Sequence, residues 1–202
     1  MVSIIDYGMG NSASVKKAFD FLNIPCRITN KAQDIKTADK LLIPGVGSYG
    51  DAIQALHALE LFELLKEEVL VNKKPILGIC LGMQLMGCSS AESEGVSGFG
   101  FIDSTCQRFD IDLKVPHVGW NNAKIVNKDS RLFKNIPDNS DFYFVHSYHF
   151  GINTKEKSTT VKYGYDFASS FEKDNIFGVQ FHPEKSQKYG LELLKNFGEL
   201  QC

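Results

Sequence analysis

Cys80 stands in the segment Gly78-Ile79-Cys80-Leu81-Gly82, between a short apolar run and residues of helical character. A thiol at a strand-to-helix turn is exposed at the carboxyl edge of the strand. Glycines two residues to either side permit a strained backbone and a close helix approach, the mechanics of a nucleophile elbow. The start of the following helix favours thiolate over thiol. Cys26, Cys88, Cys106 and Cys202 have no such context. Each is expected as a small buried hydrophobe, with Cys88 one or two turns further along the helix that Cys80 opens.

Phe181-His182-Pro183-Glu184 lies 102 residues after Cys80, directly behind another apolar run. Pro183 disfavours a helical backbone at His182, and in an extended chain residues i and i+2 point the same way, so His182 and Glu184 can aim at one site. The carboxylate then orients the imidazole and stabilises its protonated form while the imidazole serves the nucleophile.

Two glycine-punctuated loops follow strand-like runs. Gly8-Met9-Gly10-Asn11-Ser12-Ala13 and Gly45-Val46-Gly47-Ser48-Tyr49-Gly50 both fit the spacing of a dinucleotide fingerprint. The acidic residue expected at the end of the second strand is absent, since that stretch reads Ile28-Thr29-Asn30-Lys31, and two loops cannot both be the single fingerprint. A better use of Pro44-Gly45-Val46-Gly47 is an oxyanion hole, backbone N–H groups aimed at developing negative charge. Simple tight turns account for the Gly8 loop at least as well.

The elements that must hold these residues follow from periodicity. Val2 to Asp6, Cys26 to Thr29, Leu41 to Ile43 and Pro75 to Ile79 read as strands. Val15, Ala18, Phe19 and Leu22 mark one helix, and one long amphipathic segment runs from Asp51 to about Val71. This βαβα alternation implies a buried parallel sheet with helices on both faces. From about Phe99 the strand candidates come in succession: Phe142 to Val145, Thr159 to Lys162, Ala168 to Phe171 and Ile176 to Phe181. An antiparallel extension of the sheet uses them most simply. A last helix is expected behind a Ser186 cap, with Leu191, Leu194 and Phe197 inward.

The 202 residues are 43% hydrophobic and 23% charged, with a net charge of −2, enough apolar material for one domain over residues 1–202 and no electrostatic footprint for nucleic acid or an anionic membrane. Met1-Val2-Ser3-Ile4-Ile5-Asp6 reads as a first strand rather than a signal peptide, and no run approaches a membrane span. Five scattered cysteines without Cys-x-x-Cys suit a reducing, cytoplasmic setting better than a disulfide framework or a zinc site, and no metal or cofactor is expected.

Over essentially its whole length the chain resembles the class I (triad-type) glutamine amidotransferases, and among them the glutaminase subunits that serve imidazole glycerol phosphate synthase in histidine biosynthesis. Gly78-Ile79-Cys80-Leu81-Gly82-Met83-Gln84 and His182-Pro183-Glu184 carry the class. Asp6-Tyr7-Gly8-Met9-Gly10-Asn11, Pro44-Gly45-Val46-Gly47, Pro116-His117-Val118-Gly119-Trp120-Asn121, His146-Ser147-Tyr148 and Lys185-Ser186 carry the subfamily. The resemblance implies a three-layer α/β fold and a Cys80-His182-Glu184 triad. It implies an oxyanion hole at Val46-Gly47, with Gly47, Gln84, Ser147 and Tyr148 holding glutamine. It also implies a heterodimer with a (β/α)8-barrel cyclase that receives the ammonia, docked at Asn11, Trp120, Asn121 and Lys185. Val118 replaces the methionine common in relatives, and Cys88-Ser89-Ser90-Ala91-Glu92-Ser93 is a compact variant segment.

Three other readings compete. A paralogous subunit feeding ammonia to a sugar-modifying synthase of surface-glycan biosynthesis would carry the same triad. A regulatory module with a decayed site is disfavoured by the intact Cys80, His182 and Glu184. A cysteine peptidase or chaperone of the related single-domain α/β family usually has histidine directly after the nucleophile, where this chain has Leu81.

Overall fold

A computed structural model describes residues 1–201; Cys202 lies outside the described residues. The chain begins with β1 (Val2–Ile5), α1 (Ser12–Phe21), β2 (Cys26–Thr29), α2 (Ala32–Lys36), β3 (Lys40–Gly45), α3 (Tyr49–Ala58), α4 (Leu61–Leu70), β4 (Ile76–Cys80) and α5 (Leu81–Gln84). It continues with β5 (Ser89–Ser90), β6 (Thr105–Arg108), β7 (His117–Ile125), β8 (Ser140–His146), β9 (Tyr148–Gly151), β10 (Lys157–Tyr163), β11 (Tyr165–Lys173) and β12 (Ile176–Val179). A 3-10 turn (Pro183–Lys185) and α6 (Gln187–Gly198) close the described chain.

The sheet runs β2-β1-β3-β4-β12-β11-β10-β7-β8. Its first five strands are parallel and the rest antiparallel, with β6 and β9 forming a side arm against β11. Every residue of β1, β3, β4 and β12 is buried, because helices cover both faces of this half. Alternation divides the core accordingly. Leu41, Ile43 and Ile76 pack towards α3 and α4, while Leu42, Leu77 and Ile79 pack towards α1 and α6. The carboxyl ends of the parallel strands bring the loops after β1, β3, β4 and β12 to one edge.

Several elements differ from expectation. The single helix from Asp51 to Val71 is two, α3 and α4, broken where Glu60 takes a left-handed conformation with φ of 56°. The break lets Ile53 and Leu56 of one helix and Leu61 and Leu65 of the next enter the same core. The helix after Cys80 is one turn long, so Cys88 is not on it; Cys88 lies beyond its end and is exposed. Cys106 is buried and Cys26 half-buried. On α6 the inward residues are Leu193, Leu194 and Phe197, with Leu191 only partly covered. Ser186 occupies the cap position, but its hydroxyl makes no capping bond. β6, β7 and β9 were not foreseen. β7 turns His117, Gly119 and Asn121 to one face and Val118 and Trp120 to the other, so its alternation is not one of apolar against polar residues.

Candidate active site

Cys80 is the last residue of β4 and has φ 53° and ψ −109°, a backbone conformation that costs a non-glycine residue about 1–3 kcal/mol. The flanking glycines make it possible. A Cβ on Gly78 would stand 2.6 Å from the Gly82 carbonyl oxygen, and one on Gly82 would overlap the Ile43 carbonyl. Because α5 is a single turn, its dipole contributes little beside Cys80. The charged partner is His182.

His182 keeps an extended backbone before Pro183, as expected, but Glu184 lies in the 3-10 turn and not in an extended chain. The turn folds its carboxylate back, so that His182 Nδ1 donates to Glu184 Oε1 at 2.9 Å, both side chains being almost fully buried. The His182 main chain is tied on both sides. Its N–H donates to the Tyr143 carbonyl at 2.9 Å, and the Ser186 hydroxyl donates to its carbonyl at 2.6 Å while accepting from the Tyr143 N–H at 3.0 Å. That is where the unused cap hydroxyl goes. Burial alone would push the His182 pKa down; the closeness of Cys80 and the hydrogen bond and charge of Glu184 outweigh it and push the pKa up to about 10. Nε2 has no partner at hydrogen-bond geometry, so Glu184 is the anion tied to the ring and Cys80 acts as a nearby charge.

A cleft of about 300 Å3 joins these groups. Its wall brings together Cys80 and His182 with Val46, Gly47, Gln84, Ser147 and Tyr148, all singled out in the sequence. Leu81, Glu92, Pro116, Val145 and His146 complete it, and Glu92 is the only carboxylate among them. Gln84 donates from Nε2 to the Tyr148 carbonyl (3.0 Å) and to Gln180 Oε1 (3.1 Å), and Gln180 Nε2 in turn stands 3.7 Å from Cys80 Sγ. The Cys80 thiol also contacts the Val145 carbonyl at 3.8 Å.

The Pro44 to Gly47 loop is held at both ends. Tyr7 Oη donates to the Pro44 carbonyl at 2.7 Å, and burial together with the nearby Cys80 charge raises the phenol pKa, keeping it a donor. Beyond Gly47, Glu92 Oε2 accepts the Tyr49 N–H at 2.9 Å and Ser93 Oγ accepts the Gly50 N–H at 3.0 Å. Gly47 has φ 103°, and a Cβ there would also meet Met9 at 2.7 Å. The Gly8 loop therefore serves as backing for Pro44 to Gly47.

The residues proposed for docking lie outside the cleft. Asn11 caps α1 by accepting the Ser14 N–H. Trp120 is 48% exposed and meets Tyr143 edge-on, and the Lys185 ammonium lies over the same Tyr143 ring. Asn121 points to the opposite face of β7, donating to the Lys162 carbonyl at 3.1 Å and towards His117 Nε2. Glu92, Gln180, Tyr7 and His146 were not picked out as site residues from sequence. Nothing local distinguishes a lone acid in a loop, although Gln180 lies two residues before His182.

Comparison with known proteins adds the following. The family glutamine amidotransferase class-I matches residues 3–199. The chain is 48% identical over 202 residues to the imidazole glycerol phosphate synthase subunit HisH 1 of Campylobacter jejuni subsp. jejuni serotype O:23/36 (strain 81-176), covering 99% of this chain and 100% of that one. It is 45% identical to the HisH subunit of Moorella thermoacetica, covering 98% and 94%. Among solved structures, a glutamine amidotransferase superposes with a TM-score of 0.76 at 14% identity over 98% of both chains, a likeness of fold.

Proposed function

Because the chain belongs to the class-I glutamine amidotransferase family, and within it groups with the HisH subunits, we propose that residues 1–202 form one amidotransferase domain. It hydrolyses L-glutamine and passes the ammonia to a (β/α)8-barrel cyclase partner making imidazole glycerol phosphate in histidine biosynthesis. The observation that carries this reading is the cleft shared by Cys80 at its strained turn and His182, whose ring is tied from behind to Glu184.

The chemistry follows from the residues. The Cys80 thiolate adds to the side-chain amide carbon of glutamine, and the oxyanion is met by backbone N–H groups of the Val46-Gly47 loop. His182, held protonated by its two anionic neighbours, gives its proton to the departing nitrogen, and ammonia leaves. The imidazole then takes a proton from water, the hydroxide opens the thioester, and glutamate and the Cys80 thiolate are released. Glu184 orients His182 throughout. Glu92 supplies the negative charge for the substrate ammonium. Both amide hydrogens of Gln84 are committed to the cleft wall, which leaves its Oε1 as the atom to meet substrate, beside Ser147 and Tyr148.

The docking face of this reading holds Val118 (54% exposed) and Trp120 on the outer side of β7, with Lys185 over Tyr143 beside them. Asn11 belongs to the same reading, whereas Asn121 points to the opposite face of β7 and so does not share this surface with Trp120. A cytoplasmic setting is part of the same proposal, supported by the scattered cysteines without Cys-x-x-Cys; separately, among the described residues no helix is long and apolar enough to cross a membrane.

Glutamate release is measured with the chain alone and then with the barrel cyclase and its nucleotide ligand. The expectation is low turnover alone and strong stimulation by the cyclase. Loss of one oxyanion donor typically costs about 10²–10³ in turnover, so one misaligned peptide in the Val46-Gly47 loop suffices to hold the enzyme off. Full activity without a partner removes the switching. A cyclase that neither binds nor stimulates removes the histidine pathway in favour of a sugar-modifying synthase.

A further inference from the structure

Three buried histidines, His117, His146 and His149, surround the Phe109 ring beside the cleft, and the triad uses none of them. Two are linked to the cleft wall. His146 Nδ1 stands 2.8 Å from the Tyr148 carbonyl, His146 Nε2 stands 3.1 Å from His117 Nδ1, and His117 Nε2 stands 3.3 Å from the Asn121 amide nitrogen.

The direction of this chain is fixed by its inner end. A carbonyl oxygen only accepts, so His146 Nδ1 carries a proton. In a neutral ring Nε2 is then bare and accepts from His117 Nδ1–H. That leaves His117 Nε2 bare, and it accepts from Asn121 Nδ2. Burial pushes both imidazole pKa values down, His117 to about 4, which keeps the rings neutral as this order requires. The His117 ring is also clamped, stacking on Tyr163 at 4.0 Å and on Phe144 at 4.9 Å between centroids.

The Tyr148 carbonyl receives Gln84 Nε2 as well as His146 Nδ1, so both of its lone pairs are engaged. We propose that His117 and His146 are positioning residues: as paired Nδ1–H tautomers running inward from Asn121 on β7, they fix the Ser147-Tyr148 wall and, through Gln84, the side of the cleft that binds substrate. This rests on the reading of the cleft as a glutamine site. His149 is the natural control. Its Nδ1 donates to the Phe150 carbonyl at 3.0 Å and its Nε2 meets Tyr165 Oη at 2.8 Å, a circuit that closes without reaching the cleft.

The test is saturable inactivation of Cys80 by the glutamine analogue 6-diazo-5-oxo-L-norleucine, followed by mass spectrometry on the full chain, which separates binding (KI) from the limiting rate (kinact). His117→Phe keeps the stacking and loses the bonds, and is expected to raise KI roughly three- to tenfold with kinact changed by less than about twofold. His117→Asn, whose amide restores a donor near Nδ1, recovers most of the loss, and His149→Gln leaves KI at the wild-type value. An unchanged KI in His117→Phe, or an equal rise in His149→Gln, overturns the proposal.

Imidazole 15N spectra of the wild-type chain at neutral pH give a second measurement that needs no variant to fold. Nδ1–H tautomers are expected at both His117 and His146, and an Nε2–H at either one defeats the chain. If Cys80 of the wild-type chain resists the analogue altogether with the barrel cyclase and its nucleotide ligand present, the glutamine reading fails, and the tautomers alone decide whether the chain of bonds exists.

Discussion

Gly45 stands directly opposite Cys80 in the parallel register of β3 and β4. The nucleophile turn therefore packs against a position where no side chain fits: a Cβ would lie 2.7 Å from the Leu81 Cβ and the Gly82 nitrogen, and 2.8 Å from Tyr7 Oη. Gly45→Ala is expected to cost about 1–3 kcal/mol of stability by overpacking. It should lower kcat/KM by roughly 10²-fold, the scale of a 1 Å misplacement of a reacting group. Thermal melting and steady-state kinetics of the variant check both. A variant that loses stability but keeps kcat/KM would show that the turn tolerates displacement.

Cysteine labelling should separate recognition from exposure. A glutamine-mimicking alkylator is expected to modify Cys80 and to spare Cys26, Cys88 and Cys106. A small general reagent such as iodoacetamide should reach exposed Cys88 readily and leave Cys106 untouched, since burial hides that thiol and raises its pKa. Cys88→Ser should retain full turnover, whereas Cys80→Ala should abolish it. Peptide mapping after each reagent gives the answer, and glutaminase turnover in Cys80→Ala ends the assignment of the nucleophile.

His182 and Glu184 should fail unequally. His182→Ala removes the proton carrier, with an expected loss of about 10²–10⁴-fold. Glu184→Gln keeps an orienting amide and loses charge, so it retains more activity. It also withdraws one of the two anions that hold His182 near 10, so the alkaline limb of the kcat profile should move to lower pH. Wild-type acylation in His182→Ala, or an alkaline limb unmoved in Glu184→Gln, contradicts these roles.

The histidines also set the pH dependence of stability, with opposite signs. His117, His146 and His149 are held below their unfolded values by burial. The unfolded chain therefore takes up protons first, and stability falls as pH drops from about 6.5 towards 4. His182 is raised, so its contribution is fully present below about 6.5 and is lost as pH climbs towards 10. Urea midpoints measured across this range should show both limbs. His117→Phe should flatten the acid limb and Glu184→Gln the alkaline one, and an acid limb equally steep in His117→Phe would assign the effect elsewhere.

The parallel half of the fold was legible because its strands are fully buried and read as continuous apolar runs, as in Leu41-Leu42-Ile43. The two ends of the reaction site were legible because Gly78, Gly82 and Pro183 constrain the backbone beside Cys80 and His182. β7 escaped notice because its inward residues include His117 and Asn121, whose polar groups find partners as distant in sequence as His146 on another strand and Lys162 on a third. Glu92 escaped for a similar reason: its meaning comes from the Tyr49 N–H, 43 residues away. The split between α3 and α4 rests on a left-handed Glu60, a conformation that the residue type does not announce.

The anchoring of Pro44 by Tyr7 and of the α3 amino end by Glu92 and Ser93 restricts what can happen between them. A segment pinned at both ends can turn within itself but cannot travel. Any change of state there is a crankshaft rotation about the Val46-Gly47 linkage, with β3 and α3 standing still. Such an event belongs to the nanosecond-to-microsecond class of loop motions and not to the slower class of domain closure. The on and off states of the proposed switch are then expected to share one radius of gyration and one packed interior, so that scattering and global unfolding measurements are blind to the difference while the amide signals of two residues report it. In that proposal the site is controlled through torsion, with the outline of the molecule unchanged.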